Sequence, residues 1–329
     1  MALVFLNRDQ INVPEWDRCV AAAHNALLYG HSWYLDAVTN VPEGPRWCWE
    51  GLVAVDTDGH YTAVLPVPLR RRWGQWVVYQ PLFCQFVAIF SAQPVDPVPF
   101  LEALLKRYRY ASRLCLALTT LLPNVPGYVQ QRLLQTHVLA LDGAVPNYTA
   151  DRRMNLRRAH RRVAQTPGWR VTESTDVQPL LTLFRENHAA AIGVGKWAYP
   201  LFTRLFVALQ ARGLGTLHYA YADNVPVAGA FFAEQHGRMI YLFNAADAEG
   251  RRLNARTILI DQSIQRAISR LSPTGLFDFE SPDQPGVVQF YESFGATPAP
   301  YLQLSWNRLT AVERWTRLLR QTIFKPYRF

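Results

Sequence analysis

Apolar and polar residues alternate in short runs along two stretches of the chain, over residues 49–83 and 217–246. Alternation with a period of two is typical of strands that bury one face. Dipeptides rich in Gly, Asn and Asp separate the runs, and such residues adopt the positive φ of tight hairpin turns. The predicted turns are Asp58-Gly59, Trp73-Gly74, Asp223-Asn224 and His236-Gly237. Each stretch is therefore predicted to be a three-stranded antiparallel meander.

The same order of elements follows each meander. Helical periodicity covers residues 97–108 and 255–270, and apolar strand patterns follow at 114–120 and 276–280. Tyr128 and Tyr291, 163 positions apart, then precede a closing strand. We expect an α/β protein with mixed sheets and an internal duplication, although chance similarity of such segments is the alternative. The predicted domains are residues 1–145, a connecting segment at 146–165, and residues 166–329, with the two outer parts superposable.

The connecting segment is strongly basic. Leu156, Ala159 and Val163 form an apolar stripe with helical spacing, which predicts a helix over residues 147–165. The arginines on the remaining faces are Arg153, Arg157, Arg158, Arg161 and Arg162. This surface is either a solvated arginine face or a binding face for tRNA or another polyanion, because arginine pairs with phosphate in a bidentate manner.

Composition limits the classes of function. Half of the 329 residues are hydrophobic, and the net charge of +9 favours acidic partners. The four cysteines lack the spacing of a disulfide framework or a zinc site, so we expect reduced thiols, no metal and a cytoplasmic location. No membrane span is expected, since the most apolar window, residues 77–92, contains Gln80, Pro81 and Gln85. The basic and aromatic residues 313–329 predict a docked terminal helix or contact with a membrane surface.

The chemistry-bearing motifs of several enzyme classes are missing from the sequence. It has no G-x-S-x-G elbow, no Walker lysine loop, no dinucleotide glycine fingerprint and no metal-spaced histidine cluster. One turn does stand out: Gly295 follows an aromatic helical segment, and Pro298 and Pro300 come soon after it. Glycine takes the left-handed conformation that ends a helix, so the helix containing Tyr291 is predicted to stop there.

These elements in this order resemble a known family. The second meander, the helix after it, the Phe277-Asp-Phe-Glu280 strand and the Phe290-Tyr-x-x-x-Gly295 turn are similar to the GNAT acyltransferase fold. Two such rounds with a basic helical segment between them resemble the FemAB-like peptidyltransferases, which carry tandem GNAT domains. The resemblance covers most of the chain and is weaker in the first half, where Arg132 replaces the turn glycine.

The resemblance implies a binding loop for the pyrophosphate of acyl-CoA at the start of a helix. The matching positions are Arg251, Arg252, Asn254, Ala255 and Arg256. The leading arginine of the family pattern is kept, while Asn254 and Arg256 replace its glycines. Asparagine tolerates the left-handed conformation, so an anion nest is still expected, and Arg256 would either crowd the phosphate or grip it. FemAB-like proteins are similar in having no clean loop.

The resemblance also implies the catalytic groups. Tyr291 is expected to protonate the leaving thiolate, with Phe290 packed inward and the Tyr291 phenol facing the cleft. Strand alternation places Asp278 and Glu280 on one face, where either carboxylate could act on an attacking amine. Asn187, His188 and Lys196 lie in the segment expected to cover the cleft and are given no role. The structural alternative is a packing tyrosine and exposed carboxylates.

Three functions remain open from the sequence. The leading one is acyl transfer from a thioester donor, acyl-CoA, to an amine acceptor, which is a small molecule or a peptide. The second is FemAB-like transfer from aminoacyl-tRNA to a cell-wall precursor. The third is a GNAT-fold protein that binds a ligand or partner without catalysis.

Overall fold

A computed structural model describes residues 2–40, 44–72, 74–142, 147–271, 273–282, 284–310 and 313. The strands are β1 (Ala2–Asn7), β2 (Trp47–Val55), β3 (Tyr61–Arg72), β4 (Gln75–Tyr79), β5 (Phe90–Ser91), β6 (Tyr110–Leu116), β7 (Val129–Leu141), β8 (Arg170–Ser174), β9 (Gly215–Ala222), β10 (Val225–Gln235), β11 (Arg238–Ala246), β12 (Gly275–Asp278) and β13 (Thr297–Asn307). The helices are α1 (Val13–Ala21), α2 (Ser32–Thr39), α3 (Val98–Arg107), α4 (Ala150–Ala164), α5 (Gln178–Asn187), α6 (Ala189–Ile192), α7 (Ala198–Gln210), α8 (Ala248–Arg252), α9 (Ala255–Leu271) and α10 (Pro285–Glu292). The mixed α/β class predicted from the sequence is confirmed.

The first compact unit consists of Met1–Leu134, Gly195–Leu205 and Pro300–Phe329. Its strands run in the order β1-β2-β3-β4-β6-β13, with β2, β3 and β4 forming the predicted antiparallel meander. β4 and β6 pair in parallel, with Val78 opposite Ala111. The core of this unit is rich in aromatic side chains because Trp16, Tyr29, Tyr34, Trp49 and Phe90 are fully buried.

The second compact unit consists of Gln135–Val194 and Phe206–Ala299. Its strands run in the order β7-β12-β11-β10-β9-β8, and β9, β10 and β11 form the second predicted meander. β11 and β12 pair in parallel. Each unit thus contains a meander, then a helix, then a strand parallel to the last meander strand, which is the element order expected from the sequence.

Local turn chemistry explains the meanders. Asp223, Asn224, His236 and Gly237 all have positive φ, as do Gly59 and Gly74, so each predicted turn has the left-handed residues that it needs. Trp73 lies outside the described residues. Gly295 also has a φ of +82°, three residues beyond the end of α10, and its N–H donates to the carbonyl of Glu292. The predicted helix stop at Gly295 is therefore confirmed.

Two strand predictions were wrong at their ends. The strand expected at 114–120 is β6, which begins and ends four residues earlier, at Tyr110 and Leu116. The strand expected at 276–280 is β12, which ends at Asp278. Glu280 has a φ of +46° and is in a left-handed turn, so regular alternation does not extend to it. Helices α3 and α9 match their predictions closely.

The basic helix α4 belongs to the second unit and packs against α9. Leu156, Ala159 and Val163 are buried in the core, as their spacing predicted. Arg152 occupies the next position of the same stripe and is only 7% exposed. Thr149 caps the start of α4, because its side-chain hydroxyl accepts a hydrogen bond from the N–H of Arg152 at 3.2 Å.

All four cysteines are free thiols, and burial raises the pKa of Cys19 and Cys115 to about 11. Within the described ranges, no helix is both long and apolar enough to cross a membrane. The predicted terminal helix or membrane contact of residues 314–329 lies outside the described residues.

One glycine contact fixes the position of α8. A Cβ on Gly250 would lie 2.2 Å from the carbonyl oxygen of Val227 in β10, whereas a Cβ on Gly286 in α10 would meet nothing within 4 Å. We expect Gly250→Ala to lower the free energy of unfolding by about 1–3 kcal/mol through overpacking. Gly286→Ala is the matched control, and it should be neutral or slightly stabilising because alanine favours a helix. Chemical denaturation of both variants checks this, and equal stability would contradict the close packing of α8.

Candidate functional site

The candidate site lies in the second unit, where the pairing of β11 and β12 ends. Their parallel pairing ends with Ile240 opposite Asp278, while β11 continues to Ala246. The register of β11 against β10 shifts at this point, because Phe232 faces Tyr241 and Phe231 faces Phe243. Leu242 is therefore the extra residue of a β-bulge. A β-bulge bends its strand and leaves backbone groups outside the ladder, and such bulges are common beside active sites.

Tyr291 reaches this region from α10. It is 4% exposed, and its ring stacks on Phe279 with 4.6 Å between centroids. Burial raises the pKa of Tyr291, the positive charge of Arg256 opposes that rise, and the negative charge of Glu280 adds to it. Arg256 lies next to the same helix, with its guanidinium carbon 4.5 Å from the ring centroid of Phe290.

The predicted orientation of the aromatic pair was wrong. Tyr291 belongs to the buried core cluster, whereas Phe290 is half-buried at its edge. α10 has only eight residues, and two adjacent aromatic side chains do not define which of them faces inward.

Glu280 has a conformation that is uncommon for its residue type. Its φ of +46° places a non-glycine residue in the left-handed region, and its N–H donates to Oδ1 of Asp278 at 2.9 Å. Backbone strain of this kind persists only where the surroundings enforce it, and it often occurs at functional sites. The side chain of Glu280 is half-buried, and the preceding residue, Phe279, is fully buried.

Asp278 is fully buried, and both of its carboxylate oxygens are hydrogen-bonded. Oδ1 accepts from the hydroxyl of Thr136 at 2.9 Å, and Oδ2 accepts from Arg238 at 3.1 Å. With the N–H of Glu280, these contacts compensate the burial of the charge. The sequence placed Asp278 and Glu280 on one face of a strand, but the left-handed turn separates their roles. Asp278 holds the turn that positions Glu280.

The predicted donor loop contains a left-handed residue just before a helix. Asn254 has a φ of +56° and its N–H donates to the carbonyl of Arg251, so it adopts the conformation that a glycine would supply. Helix α9 starts at the buried Ala255, and its hydrogen-bond ladder begins with Ile258 N–H donating to Asn254. The N–H groups of residues 255–257 precede that ladder, and the positive end of the helix dipole lies with them.

The arginines of this loop have different surroundings. Arg251 is exposed and donates from Nη1 to the carbonyl of Ala246 at 2.8 Å. Arg252 forms an ion pair with Glu249, so its guanidinium already has a counter-ion. Arg256 lies 4.5 Å from the ring centroid of Phe290, and no described carboxylate is within ion-pair distance of it.

Arg152 is a residue of this region that sequence reasoning missed. Its guanidinium carbon also lies 4.5 Å from the Phe290 centroid, and it lies 4.4 Å from that of Phe294. Nε donates to the Ser293 hydroxyl at 2.9 Å and Nη2 to the Phe290 carbonyl at 3.5 Å. A cation there stabilises the negative end of the α10 dipole. Burial lowers the pKa of Arg152, and the charge of Arg256 lowers it further. The sequence feature that could have identified Arg152 is its position four residues before Leu156, on the apolar stripe of α4.

His188, in the predicted covering segment, contacts the end of β11. Its Nε2 lies 3.1 Å from the carbonyl oxygen of Ala246 and 3.2 Å from the nitrogen of that residue. Burial lowers the pKa of His188, and the charges of Arg251 and Arg256 act in the same direction. It therefore anchors the end of α5 to the end of β11 in the neutral form.

Among the described residues, no group of three or more His, Cys, Asp or Glu side chains could hold a metal ion. What the arrangement provides instead is a phenol, a carboxylate and an arginine beside a helix N-terminus. Those groups can bind an anion and move protons.

Comparison with known proteins identifies the class of this domain. Residues 150–283 match the family described as "Acetyltransferase (GNAT) domain". These residues include α4, the second meander, the donor loop and β12. This part of the chain is thus similar to the GNAT acetyltransferase domain, as the resemblance implied.

Solved structures share the fold over nearly the whole chain. The structure of FemX is similar with a TM-score of 0.60 at 13% identity, covering 98% of this chain and 100% of that one. A tandem GNAT protein from the clavulanic acid biosynthesis pathway has a TM-score of 0.54 at 13% identity, covering 94% and 100%. A conserved protein of unknown function from Bacteroides thetaiotaomicron has a TM-score of 0.56 at 12% identity, covering 93% and 100%. A search of curated protein sequences found no significant match. The fold is therefore GNAT-like and FemAB-like.

Proposed function

We propose that this acyltransferase uses acyl-CoA as its donor and transfers the acyl group to a primary amine of a small molecule or peptide. The observation that carries this proposal is the packing around Phe279, where Tyr291 stacks on its ring and the left-handed Glu280 follows it, with Arg256 over the adjacent ring of Phe290. A reactive centre at this point has a proton donor, a proton acceptor and a fixed positive charge. Those are the groups that thioester aminolysis requires.

The donor's phosphates are assigned to the start of α9. The left-handed Asn254 and the N–H groups that follow it fit an anionic group, and Arg251 is exposed beside them. Arg256 is held against Phe290 instead of folding over the backbone of the loop, so it adds positive charge without blocking approach. Arg256 also lies near Arg152 and at the positive end of a helix dipole, and a bound anion would relieve both repulsions.

The chemical step divides between two side chains. The amine nitrogen forms a bond to the carbonyl carbon, and Glu280 accepts the proton that the nitrogen loses. The bond between that carbon and sulfur then breaks, and Tyr291 gives its hydroxyl proton to the sulfur. Burial keeps Tyr291 protonated at neutral pH because it raises the pKa of the phenol. Asp278 is proposed as a positioning residue, since it binds the N–H of Glu280.

The test of donor binding uses the melting temperature with acetyl-CoA and free CoA. A ligand at about a hundred times its dissociation constant adds about 2.7 kcal/mol to the free energy of unfolding, so the wild type should show a clear increase. Arg251→Gln and Arg256→Gln should each weaken CoA binding, by about tenfold for a lost charge-assisted contact. Arg185→Gln, an exposed arginine on α5, is the matched control. Unchanged affinity in both loop variants would move the donor site away from α9.

A second candidate is FemAB-like transfer of an aminoacyl group from tRNA to a cell-wall precursor. The observation that favours it is the basic surface of α4. Arg157, Arg158 and Arg161 are exposed, and none forms an ion pair with a described carboxylate. Arg153 and Arg162 are also exposed but donate to the carbonyls of Tyr148 and Arg252. The solvated face remains the alternative, because exposed arginines also serve solubility.

The α4 surface can be tested by the salt dependence of polyanion binding. If it binds tRNA, the triple variant in which Gln replaces Arg157, Arg158 and Arg161 should bind weakly, with the salt slope reduced by about one for each lost phosphate contact. A triple lysine variant keeps the charges and is the matched control. Filter binding at several salt concentrations measures the slope, and equal slopes in the glutamine variant and the wild type would support the solvated face.

We also propose the finer organisation of the chain. The boundaries at residues 145 and 165, a cytoplasmic location, and a tandem duplication follow from the sequence pattern. The recurring order of meander, helix and parallel strand in each unit supports the duplication. The proposed boundary at 145 falls among residues 143–146, which lie outside the described part of the chain.

A further inference from the structure

Tyr241 is a buried polar residue that the proposed reaction does not yet use. Its side chain lies on β11 and is 3% exposed, and its hydroxyl has no hydrogen-bond partner among the described residues. Buried polar groups in folded proteins are nearly always paired, so an unpaired hydroxyl needs an explanation. A phenylalanine at position 241 would fill the same space without burying an unpaired hydroxyl.

Other buried tyrosines of the second unit show the contrast. Tyr148 donates its hydroxyl hydrogen to Oδ1 of Asp261 at 2.8 Å. Tyr219 donates to the carbonyl of Asp176 at 2.8 Å and accepts from the N–H of Leu180 at 2.9 Å. Tyr241 packs by its ring alone, stacked on Phe232 at 5.3 Å between centroids. Core packing therefore explains why an aromatic ring is present at position 241, but it does not explain the hydroxyl group.

The position of Tyr241 relates it to the site. It is the first residue of β11 beyond the last pair with β12, and it immediately precedes the bulge at Leu242. Its ring meets that of Tyr291 edge-on, with 6.3 Å between centroids and 86° between planes. The charge of Arg256 acts on both phenols. The tyrosine with the unpaired hydroxyl therefore packs against Tyr291, the group assigned to proton donation.

We infer that the Tyr241 hydroxyl is a catalytic group that donates a hydrogen bond to the carbonyl oxygen of the acyl group being transferred; this inference rests on the proposed function. As the amine nitrogen bonds to the carbonyl carbon, the C=O electron pair moves to oxygen and its negative charge grows. Tyr241 keeps its proton while stabilising that oxygen. When the carbon–sulfur bond breaks, the pair returns to form C=O, and the sulfur takes its proton from Tyr291.

A donor of this kind must remain protonated. Burial raises the pKa of Tyr241 well above its ordinary value, so it is a neutral phenol at physiological pH. A fixed donor in a site without water stabilises developing charge more than water does. Tyr291 and Tyr241 then have distinct tasks, one giving up its proton and the other retaining it.

The experiment compares Tyr241→Phe with Tyr148→Phe, using an acetyl-CoA and amine panel and thermal unfolding without ligand. Tyr241→Phe should lower kcat by about 10²–10³-fold, as expected for one lost oxyanion donor, with the KM for acetyl-CoA unchanged. Its melting temperature should not fall, because the hydroxyl has no partner to lose. Tyr148→Phe, which breaks the bond to Asp261, should lower the melting temperature and leave kcat unchanged.

Two results overturn the inference. One is a melting temperature lowered in Tyr241→Phe as much as in Tyr148→Phe, which would show that the fold itself binds the hydroxyl. The other is a kcat equal to that of the wild type. If the wild type transfers no acyl group from any CoA thioester, the proposed donor fails separately, and the same pair of variants is then compared with aminoacyl-tRNA as donor.

Discussion

Tyr291→Phe lowers the kcat of acyl transfer by about 10²–10⁴-fold and leaves the affinity for the donor nearly unchanged, the range expected for loss of a general acid. The substitution keeps the ring that stacks on Phe279 and removes only the hydroxyl. An interaction made chiefly in the transition state reduces kcat and kcat/KM together, whereas loss of a phosphate contact raises KM. Steady-state kinetics with acetyl-CoA and an accepted amine separate these cases.

The pH dependence of the rate provides a control for this result. The raised pKa of Tyr291 means that the phenol stays protonated through neutral and mildly alkaline pH. The wild-type rate should therefore show no fall from Tyr291 ionisation below about pH 10. Full activity in Tyr291→Phe would show that the tyrosine only packs in the core.

Asp278→Ala is expected to lower the free energy of unfolding by about 3–5 kcal/mol, the range for removing one partner of a buried charged pair. It leaves Arg238, Thr136 and the N–H of Glu280 without their shared acceptor. Activity should fall as well, because the left-handed turn that presents Glu280 loses its anchor. Denaturation by urea measures the first effect.

Two further variants identify the source of that loss. Thr136→Val removes a single hydrogen bond to the same carboxylate and should cost about 1 kcal/mol. Glu249→Gln removes an exposed ion pair with Arg252 and should leave stability unchanged within error. If Asp278→Ala is as stable as Glu249→Gln, the carboxylate is not the support of the turn.

The sequence predicted the features that depend on local conformation. Asn224 and Gly237 adopt positive φ because short-range sterics require it at a two-residue turn, and Gly295 ends α10 for the same reason. The apolar stripe of α4 was recognisable because three buried residues repeat with helical spacing. Such patterns contain enough information within a few residues to define the local structure.

Features that depend on distant parts of the chain were not predictable in this way. Thr136 binds Asp278 across 142 positions, and Arg152 binds Ser293 across 141. The local sequence pattern contains no information about either pairing. Asp278 was therefore expected to be catalytic, and Arg152 was not singled out. The unpaired hydroxyl of Tyr241 was equally invisible, since a tyrosine in a strand has the same pattern whether or not its hydroxyl is bound.

The contact between the start of α4 and the turn after α10 determines how much of the chain the acyltransferase domain needs. The sequence match ends at residue 283. Arg152 nevertheless donates hydrogen bonds to Phe290 and Ser293, which lie beyond that limit. Gly295 also approaches Asn147 so closely that a Cβ on Gly295 would lie 2.9 Å from the Asn147 carbonyl oxygen. During synthesis, α4 leaves the ribosome long before these partners exist. A fragment cut at the limits of the match would leave the buried Arg152 without Phe290, Ser293 and Phe294, so a longer fragment is needed to express this half alone.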